Sequence, residues 1–510
     1  MKRKIFTLAL SFAALLGHAQ APKTPAMGWS SWNNYRIHIN HEIICKQADA
    51  MVSSGMKAVG YQFVNIDDGY FGGRQADGTL YCDSTKFPHG MKAVADHVKK
   101  HGLKPGIYSE AGTNTCGSIW DKDKNGFGVG LWNHDKQDLD LFFNKWGYEF
   151  LKVDWCGGEK QKLDEATRYA EIIEQVRATK KGIVFNICRW RFPGTWALPI
   201  ADSWRISGDI GPTFKSISHI IEKNAYLAAY AGPGHYNDMD MLQIGRGMTK
   251  AEDEAHFTMW CMMASPLMAG NDLAAMSEET RVILTNKEVI AINQDKAGIQ
   301  AERVENANGV QLWVKPLGDR MSKSRAVAVL NTTDKSVTYS IDWEKVGLAG
   351  TVKTRDLWKH MNMKPSNGKL EVEVPSHGVV VLKAEGAKAI TPVKYEAEYA
   401  FLNGYMVKGM ATYKKNDNAS GKMVATNIGG KASNWIEFPH VYVEKTGDYQ
   451  FTLPIDNMDG VVVRVNGKLV RDISPLRTGK TMDITLKKGY NAIRINSSSN
   501  IPEIDYIEVK

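Results

Sequence analysis

The stretch LKVDWCGG, Leu151 to Gly158, decides how this chain is read. It opens as a short apolar run, the pattern of a strand buried on both faces. It then seats Asp154, a tryptophan, a cysteine and two glycines, with Lys152 two residues before the acid. Why a buried strand should end on a carboxylate is answered by what surrounds it.

From about residue 22 to 300, short β-rich segments alternate with helical ones. The strand candidates are 25–32, 62–70, 104–112, 150–157, 183–190, 203–210, 235–242 and 266–273. Between them lie helical patterns such as HEIICKQADAMVSSG, DEATRYAEIIEQVRATKKG and ISHIIEKNAYLAAYAG, the last two closing on Gly at the C-cap position. Eight β/α repeats over this length predict a (β/α)8 TIM barrel, an α/β fold whose chemistry sits at the C-terminal ends of its strands. Those ends are polar here. Strand two gives NIDDG (Asp67, Asp68), strand three GIYSEAG (Tyr108, Glu110), strand four LKVDWC (Lys152, Asp154), strand six WRISGD (Trp204, Arg205, Asp209) and strand seven YNDMDM (Asn237, Asp238, Asp240, Met241). With Trp29 and Trp32 from strand one, the mouth becomes an acidic bowl with aromatic walls. Acids bind hydroxyls and hydrolyse, and flat rings pack on C–H faces, so the bowl suits a sugar. Taken singly, an Asp after a strand is more often a helix N-cap or loop solubiliser than a catalyst, a metal site is a lesser reading of Asp67-Asp68, and Lys152 reads equally as a buried ion-pair partner. Recurrence at one end of consecutive repeats is what favours catalysis.

The whole chain has 510 residues, 43% apolar and 24% charged, enough for two or three domains. Its start, MKRKIFTLALSFAALLGHAQ, joins Lys2, Arg3 and Lys4 to an apolar stretch and a small-x-small end at Gly17-His18-Ala19, the layout of a secretory signal over 1–19. The stretch is too short for a membrane span, which needs about 20 apolar residues, and no cysteine follows it to carry a lipid. Export is expected, to the periplasm or beyond, with no membrane association after cleavage. The net charge of +8 falls to +5 without those three cations, and no dense basic block points to nucleic acid. Six cysteines in an exported chain allow disulfides but are too sparse for a disulfide scaffold, and no CxxC pair suggests zinc.

From 301 to 386 the pattern changes to alternating segments such as VQLWVKPL, AVAVLNTT and GVVVLKAE, an antiparallel β-sandwich domain. After a linker, AKAITPVK, residues 394–510 are again strand-rich and predict a second β-sandwich of jelly-roll type. DKDKNG, Asp121 to Gly126, fits the start of a calcium loop, but Trp132 stands where that loop ends in Glu, so a solvated turn is the better reading.

The barrel resembles glycoside hydrolase family 27, the clan of α-galactosidases and α-N-acetylgalactosaminidases. The carrying segments are TPAMGWSSWNNY, NIDDGY, ADGTLYCDSTKFPHGMKAVADHVKKHGLKPGIYSEAGTNTC, FLKVDWC, DSWRISGDI, GPGHYNDMDMLQIG and MASPLMAGNDL, running into EVIAINQD. The resemblance implies that Asp154 is the nucleophile and Asp209 the general acid/base of a retaining double displacement, which needs no cofactor. Lys152 is then placed to keep Asp154 ionised, and Asp209 should be the less solvated or more negatively surrounded of the two. It further implies Asp67 and Asp68 as acceptors for galactose O4 and O6, Lys152 and Arg205 as hydroxyl ligands, Trp29, Tyr108 and Met241 as pocket wall with Asp240 beside it, and a Cys116–Cys156 disulfide. The other four cysteines read as free and mostly buried.

Two departures bear on substrate. Where many members carry Cys-Glu-Trp, this chain has Cys188-Arg189-Trp190, and Tyr70 follows the paired acids where a Trp is usual. Either Arg189 points away, or it joins the substrate contacts and the pocket prefers another glycon or an acidic aglycon. The expected substrate is an α-D-galactoside-containing glycan, with β-L-arabinopyranoside, α-N-acetylgalactosaminide and isomaltose-type α-glucoside as alternatives. A non-catalytic sugar-binding protein would keep Trp29, Trp32 and Asp67-Asp68 but could lose Asp154 or Asp209, and both are present. The sequence leaves the oligomeric state open. The last unit resembles carbohydrate-binding module family 35 through YEAEYA, NASGKMVATNIGG, NWIEFPHVYV and EIDYIEVK. That likeness implies a structural calcium held by Glu396, Glu398 and Asp505.

Overall fold

The structure, a computed structural model, describes residues 24–456 and 458–510. The expected secretory signal, 1–19, lies outside these residues. Eight parallel strands form the first unit: β1 (Met27–Ser30), β2 (Phe63–Ile66), β3 (Lys104–Glu110), β4 (Phe150–Asp154), β5 (Val184–Ile187), β6 (Ser203–Arg205), β7 (Tyr236–Asp238) and β8 (Leu267–Ala269). They pair in sequence, β8 lying beside β1. Leu242 closes the ring by a parallel bridge to Ala269, its N–H reaching the Met268 carbonyl at 2.7 Å.

Every strand is shorter than its sequence pattern, and at the acid-bearing ends the chain leaves the ladder and bonds to itself. Asp67 and Asp68 each accept the next residue's N–H, at 2.9 and 2.8 Å. Gly69, at φ 106°, completes that turn where a Cβ would meet the Ile37 backbone at 2.6 Å. The strands are apolar on both faces because side chains fill the barrel inside and helices cover it outside.

Several of the covering helices start on side-chain caps. Asn40 caps α1 (His41–Ser53), and Asp164 caps α5 (Glu165–Thr179), after the shorter α2 (Gly90–Lys100), α3 (Cys116–Trp120) and α4 (Cys156–Lys160). A capping box between Thr249 and Glu252 opens the helix Lys250–Met262. Helix ends differ from the glycine expectation. The helix after β6, Phe214–Asn224, stops well before Gly232 because the chain turns through a short 3₁₀ segment, Ala228–Tyr230, that buries Tyr230.

The antiparallel unit that follows packs one face on the barrel and one on itself. Along Val310–Pro316 and Ser324–Asn331, Trp313, Ala326 and Ala328 join the barrel core, while Leu312, Val327 and Val329 face Ile341, Trp343 and Val374. The linker is not free of structure, since Lys388–Ala389 pairs with Leu348–Ala349. The last unit encloses a core of its own, with Ile436, Phe438, Phe451, Ile493 and Ile507 at its centre. Its first strand, Lys394–Glu396, pairs with its last, Tyr506–Val509. Phe192, Tyr230, Tyr405 and Tyr413 tie it to the barrel: the Tyr230 and Tyr413 hydroxyls meet at 2.9 Å, and Tyr405 stacks on Tyr230 and Phe192. Among the described residues no helix is long and apolar enough to cross a membrane.

Candidate active site

At the C-terminal mouth of the barrel lies a cavity of about 480 Å³ that Lys152, Asp154, Arg205, Asp209, Asp240 and Met241 share with Trp32, Arg36, Trp120 and Trp190. A small void of about 40 Å³ adjoins it, lined by Asp67 together with Lys152, Arg205, Asp240 and Met241. The acids predicted from separate strand ends thus surround connected space.

Each polar group in the floor is held. Lys152 Nζ donates to Asp67 Oδ2 at 2.8 Å and lies over the Tyr108 ring. Burial works against its charge, but Asp67 and, more distantly, Asp154 outweigh that and hold it well above the ordinary lysine range. Arg205 bridges strand ends six and seven, reaching Asp209 Oδ1 at 3.0 Å and Asp240 Oδ2 at 2.8 Å. Asp240 takes the left-handed conformation, φ 75°, which lets its carboxylate also accept the Ile210 and Met241 N–H groups. Asp68 lies behind the floor, accepting the Gly117 N–H at 2.6 Å, and burial raises its pKa to about 7.

Asp154 and Asp209 differ in the opposite sense to the sequence expectation. Asp154 is 5% exposed, and burial, reinforced by the charge of Asp209 and opposed by Lys152, raises its pKa to about 6. Asp209 keeps 63% of its side chain exposed. Burial of its carboxyl pushes upward, but Arg205 and Lys152 overcome it and hold the group below the usual carboxylate value. The reason is position: Asp154 sits at the end of β4 inside the barrel wall, whereas Asp209 follows β6 on a loop that faces water and leans on Arg205. Lys152 is likewise bonded to Asp67 and acts on Asp154 only through space.

Besides Asp68, three expected contacts fall elsewhere. Arg189 is not in the cavity; its Nε donates to Glu165 Oε2 at 3.1 Å, and Arg191 binds the same oxygen at 2.8 Å. Trp29 is fully buried with its indole N–H on the Asn271 carbonyl at 2.8 Å, because it lies within β1, and Trp32, just past the strand end, supplies the wall. Tyr108 is buried beneath Lys152, its hydroxyl accepting the Cys116 N–H at 3.3 Å. The Cys116–Cys156 disulfide is formed, with Cα atoms 5.2 Å apart, and Cys45, Cys82, Cys188 and Cys261 are free. The DKDKNG turn is a turn: Asp123 caps Asn125, and Asp121 is bound to Arg36 through both oxygens at 2.6 and 2.7 Å. Sequence reasoning missed Arg36, Trp120 and Trp190. A tryptophan in a polar loop between catalytic strand ends was the available signal for the latter two.

A parallel barrel that gathers two carboxylates from strand ends four and six into one indole-walled cavity defines a glycosidase type of site. The chain matches the model of the alpha galactosidase A family over residues 24–295 and that of the alpha galactosidase C-terminal beta sandwich domain over 307–384. It belongs to the alpha galactosidase A family and is a glycoside hydrolase, of a kind whose hydrolysis uses no cofactor. Among its relatives, the alpha-galactosidase A of Cellvibrio japonicus is 40% identical over 388 residues, covering 71% of this chain and 92% of that protein. The alpha-galactosidase of Oryza sativa subsp. japonica is 39% identical, covering 70% and 83%. Alpha-galactosidase I from Mortierella vinacea superposes with a TM-score of 0.67 at 32% identity, over 72% of this chain and 98% of that one. The alpha-galactosidase of Saccharomyces cerevisiae, solved with raffinose, does so at 0.65 and 26% identity, over 71% and 97%.

Proposed function

We propose that this chain removes terminal α-D-galactosyl residues from oligo- or polysaccharides with retention of configuration. Asp154 attacks the anomeric carbon as Asp209 protonates the departing glycosidic oxygen, giving a β-galactosyl ester. Asp209 then takes a proton from water, whose oxygen displaces Asp154 and releases α-galactose. The observation that carries this reading is the convergence of Asp154 and Asp209 on one cavity, each within electrostatic reach of the other. Asp67, fixed by Lys152, receives a ring hydroxyl of the galactose, Asp68 holds the Gly117 turn behind it, and Arg205 orients Asp209 and Asp240. The retreat of Arg189 to Glu165 leaves no reversed charge against the 2-position, so that departure gives no reason to prefer another glycon.

The test is Asp154→Ala. Turnover of an α-galactoside should fall to background, and added azide should restore it with β-galactosyl azide as product. A variant that keeps most of its rate, or azide that restores nothing, sinks the assignment.

The last unit, by its likeness to carbohydrate-binding modules, binds glycan and a structural Ca²⁺. Glu396 and Asp505 converge on Ser420, whose hydroxyl donates to Glu396 Oε2 at 2.6 Å and whose N–H lies 3.1 Å from Asp505 Oδ2. Glu398 is 1% exposed with one oxygen lacking any partner, and only a glycine fits at 421, where a Cβ would fall 1.6 Å from its other oxygen. The unpartnered Glu398 oxygen beside two further acids is the feature that fits Ca²⁺, which would offset two of the three negative charges. The leader pattern makes this an exported enzyme.

A further inference from the structure

Trp120 keeps 70% of its surface in water, more than any other large apolar side chain among the described residues, yet it lines the cavity that holds Asp154 and Asp209. A single exposed apolar residue is ordinary on a protein surface. What sets Trp120 apart is how firmly its backbone is mounted. It ends the short helix α3, whose first residue is joined by the Cys116–Cys156 disulfide to the segment just after Asp154. The residue after it, Asp121, is gripped by Arg36 through two hydrogen bonds, and the Arg36 guanidinium lies 4.4 Å above the Trp32 ring. An exposed indole fixed on both sides has surrendered its backbone freedom before any ligand arrives, which is how a stacking surface is preorganised.

The charged floor, Lys152, Asp154, Arg205 and Asp240, is nearly buried, and Trp120 stands outside it. We infer that Trp120 is a platform for the leaving group, and that the leaving group it fits is a sugar ring. The indole offers a broad flat face with no charge, matched to the C–H face of a pyranose or furanose. Trp190 lines the same cavity as a second indole. The preferred substrates are therefore α-galactosides carried on another sugar, as in oligosaccharides and galactosylated polysaccharides, over those carried on a small alkyl or single-atom leaving group. This deepens the α-galactosidase reading and rests on it.

The test compares raffinose, whose leaving group is a disaccharide, with α-galactosyl fluoride, whose leaving group is one atom, on the full chain. Trp120→Ala should lower kcat/KM on raffinose about tenfold, mostly through KM, an effect of the size expected for one lost stacking contact. On the fluoride the change should stay under about twofold by the same reasoning, and Trp120→Phe should recover most of the raffinose rate. Equal losses on both substrates would mark Trp120 as a structural residue, and no loss on raffinose would show that the indole touches nothing that leaves; either outcome overturns the inference. Failure of the unaltered protein to cleave the fluoride would instead overturn the α-galactosidase reading itself.

Discussion

In the ligand-free site burial raises the Asp154 carboxyl to about 6 while Arg205 lowers that of Asp209, so Asp154 is the more readily protonated of the two. Double displacement needs the reverse: Asp154 ionised and Asp209 protonated. Only the minor protonated form of the pair is then competent, and the pH profile reports the pair rather than either residue. Above about pH 6 the last proton leaves and the acid is lost; below the usual carboxylate value a second proton binds and the nucleophile is lost. kcat/KM on raffinose should therefore fall with unit slope as pH rises through about 6, and activity held flat to pH 8 would contradict the assignment. A ring of acids was legible because they follow apolar runs at the same end of the repeat; Asp154 and Asp209 were singled out as the pair only by family resemblance. Their protonation order was not, because it depends on Arg205 bending toward Asp209 and on how far each loop carries its carboxyl from the barrel wall. Arg189 illustrates the same limit: its partner Glu165 opens a helix of the previous repeat, and no local pattern links them.

At the level of elements, the β/α alternation identified all eight strands, while their ends and the helix C-termini were misjudged. Strand ends were overextended because Asp and Asn side chains take over the backbone hydrogen bonds just where function begins. The disulfide between α3 and α4 was legible only through family resemblance, for six cysteines alone permit many pairings. It closes a loop with a sequence separation of 40 and joins two turns at the rim of the cavity. Replacing Cys116 and Cys156 together by Ser should cost the barrel about 4 kcal/mol on the loop-entropy model, read as an earlier first transition in calorimetry. An unchanged thermogram would show that the two turns hold without it.

Across the whole molecule, the last unit reaches back to the catalytic machinery. Tyr405 stacks on Phe192, which belongs to the same loop as Trp190, so the module buttresses one wall of the cavity. Within it, burial, with Glu396 and Asp505 nearby, raises the Glu398 carboxyl from 4.5 to about 8. A carboxyl raised in the folded state favours the fold while neutral, and that contribution is lost as pH rises through about 8. Bound Ca²⁺ would offset the loss by favouring the ionised form. Melting at pH 8 should thus show a clear upward shift of one transition with Ca²⁺ over EDTA, shrinking toward pH 5, and superimposable curves would exclude the cation. The sequence divides the chain by a change in periodicity at 301 and a linker before 394, whereas the aromatic seam joining the last unit to the barrel was not legible, because Tyr230 and Tyr413 are far apart in sequence. The double displacement depends on Asp154 forming the covalent bond. The most direct measurement is to trap the enzyme with a slowly turned-over fluorogalactosyl fluoride and map the adduct by peptide mass spectrometry. The label should sit on Asp154 alone; an adduct on another residue, or none in an enzyme that releases β-galactose first, would contradict it.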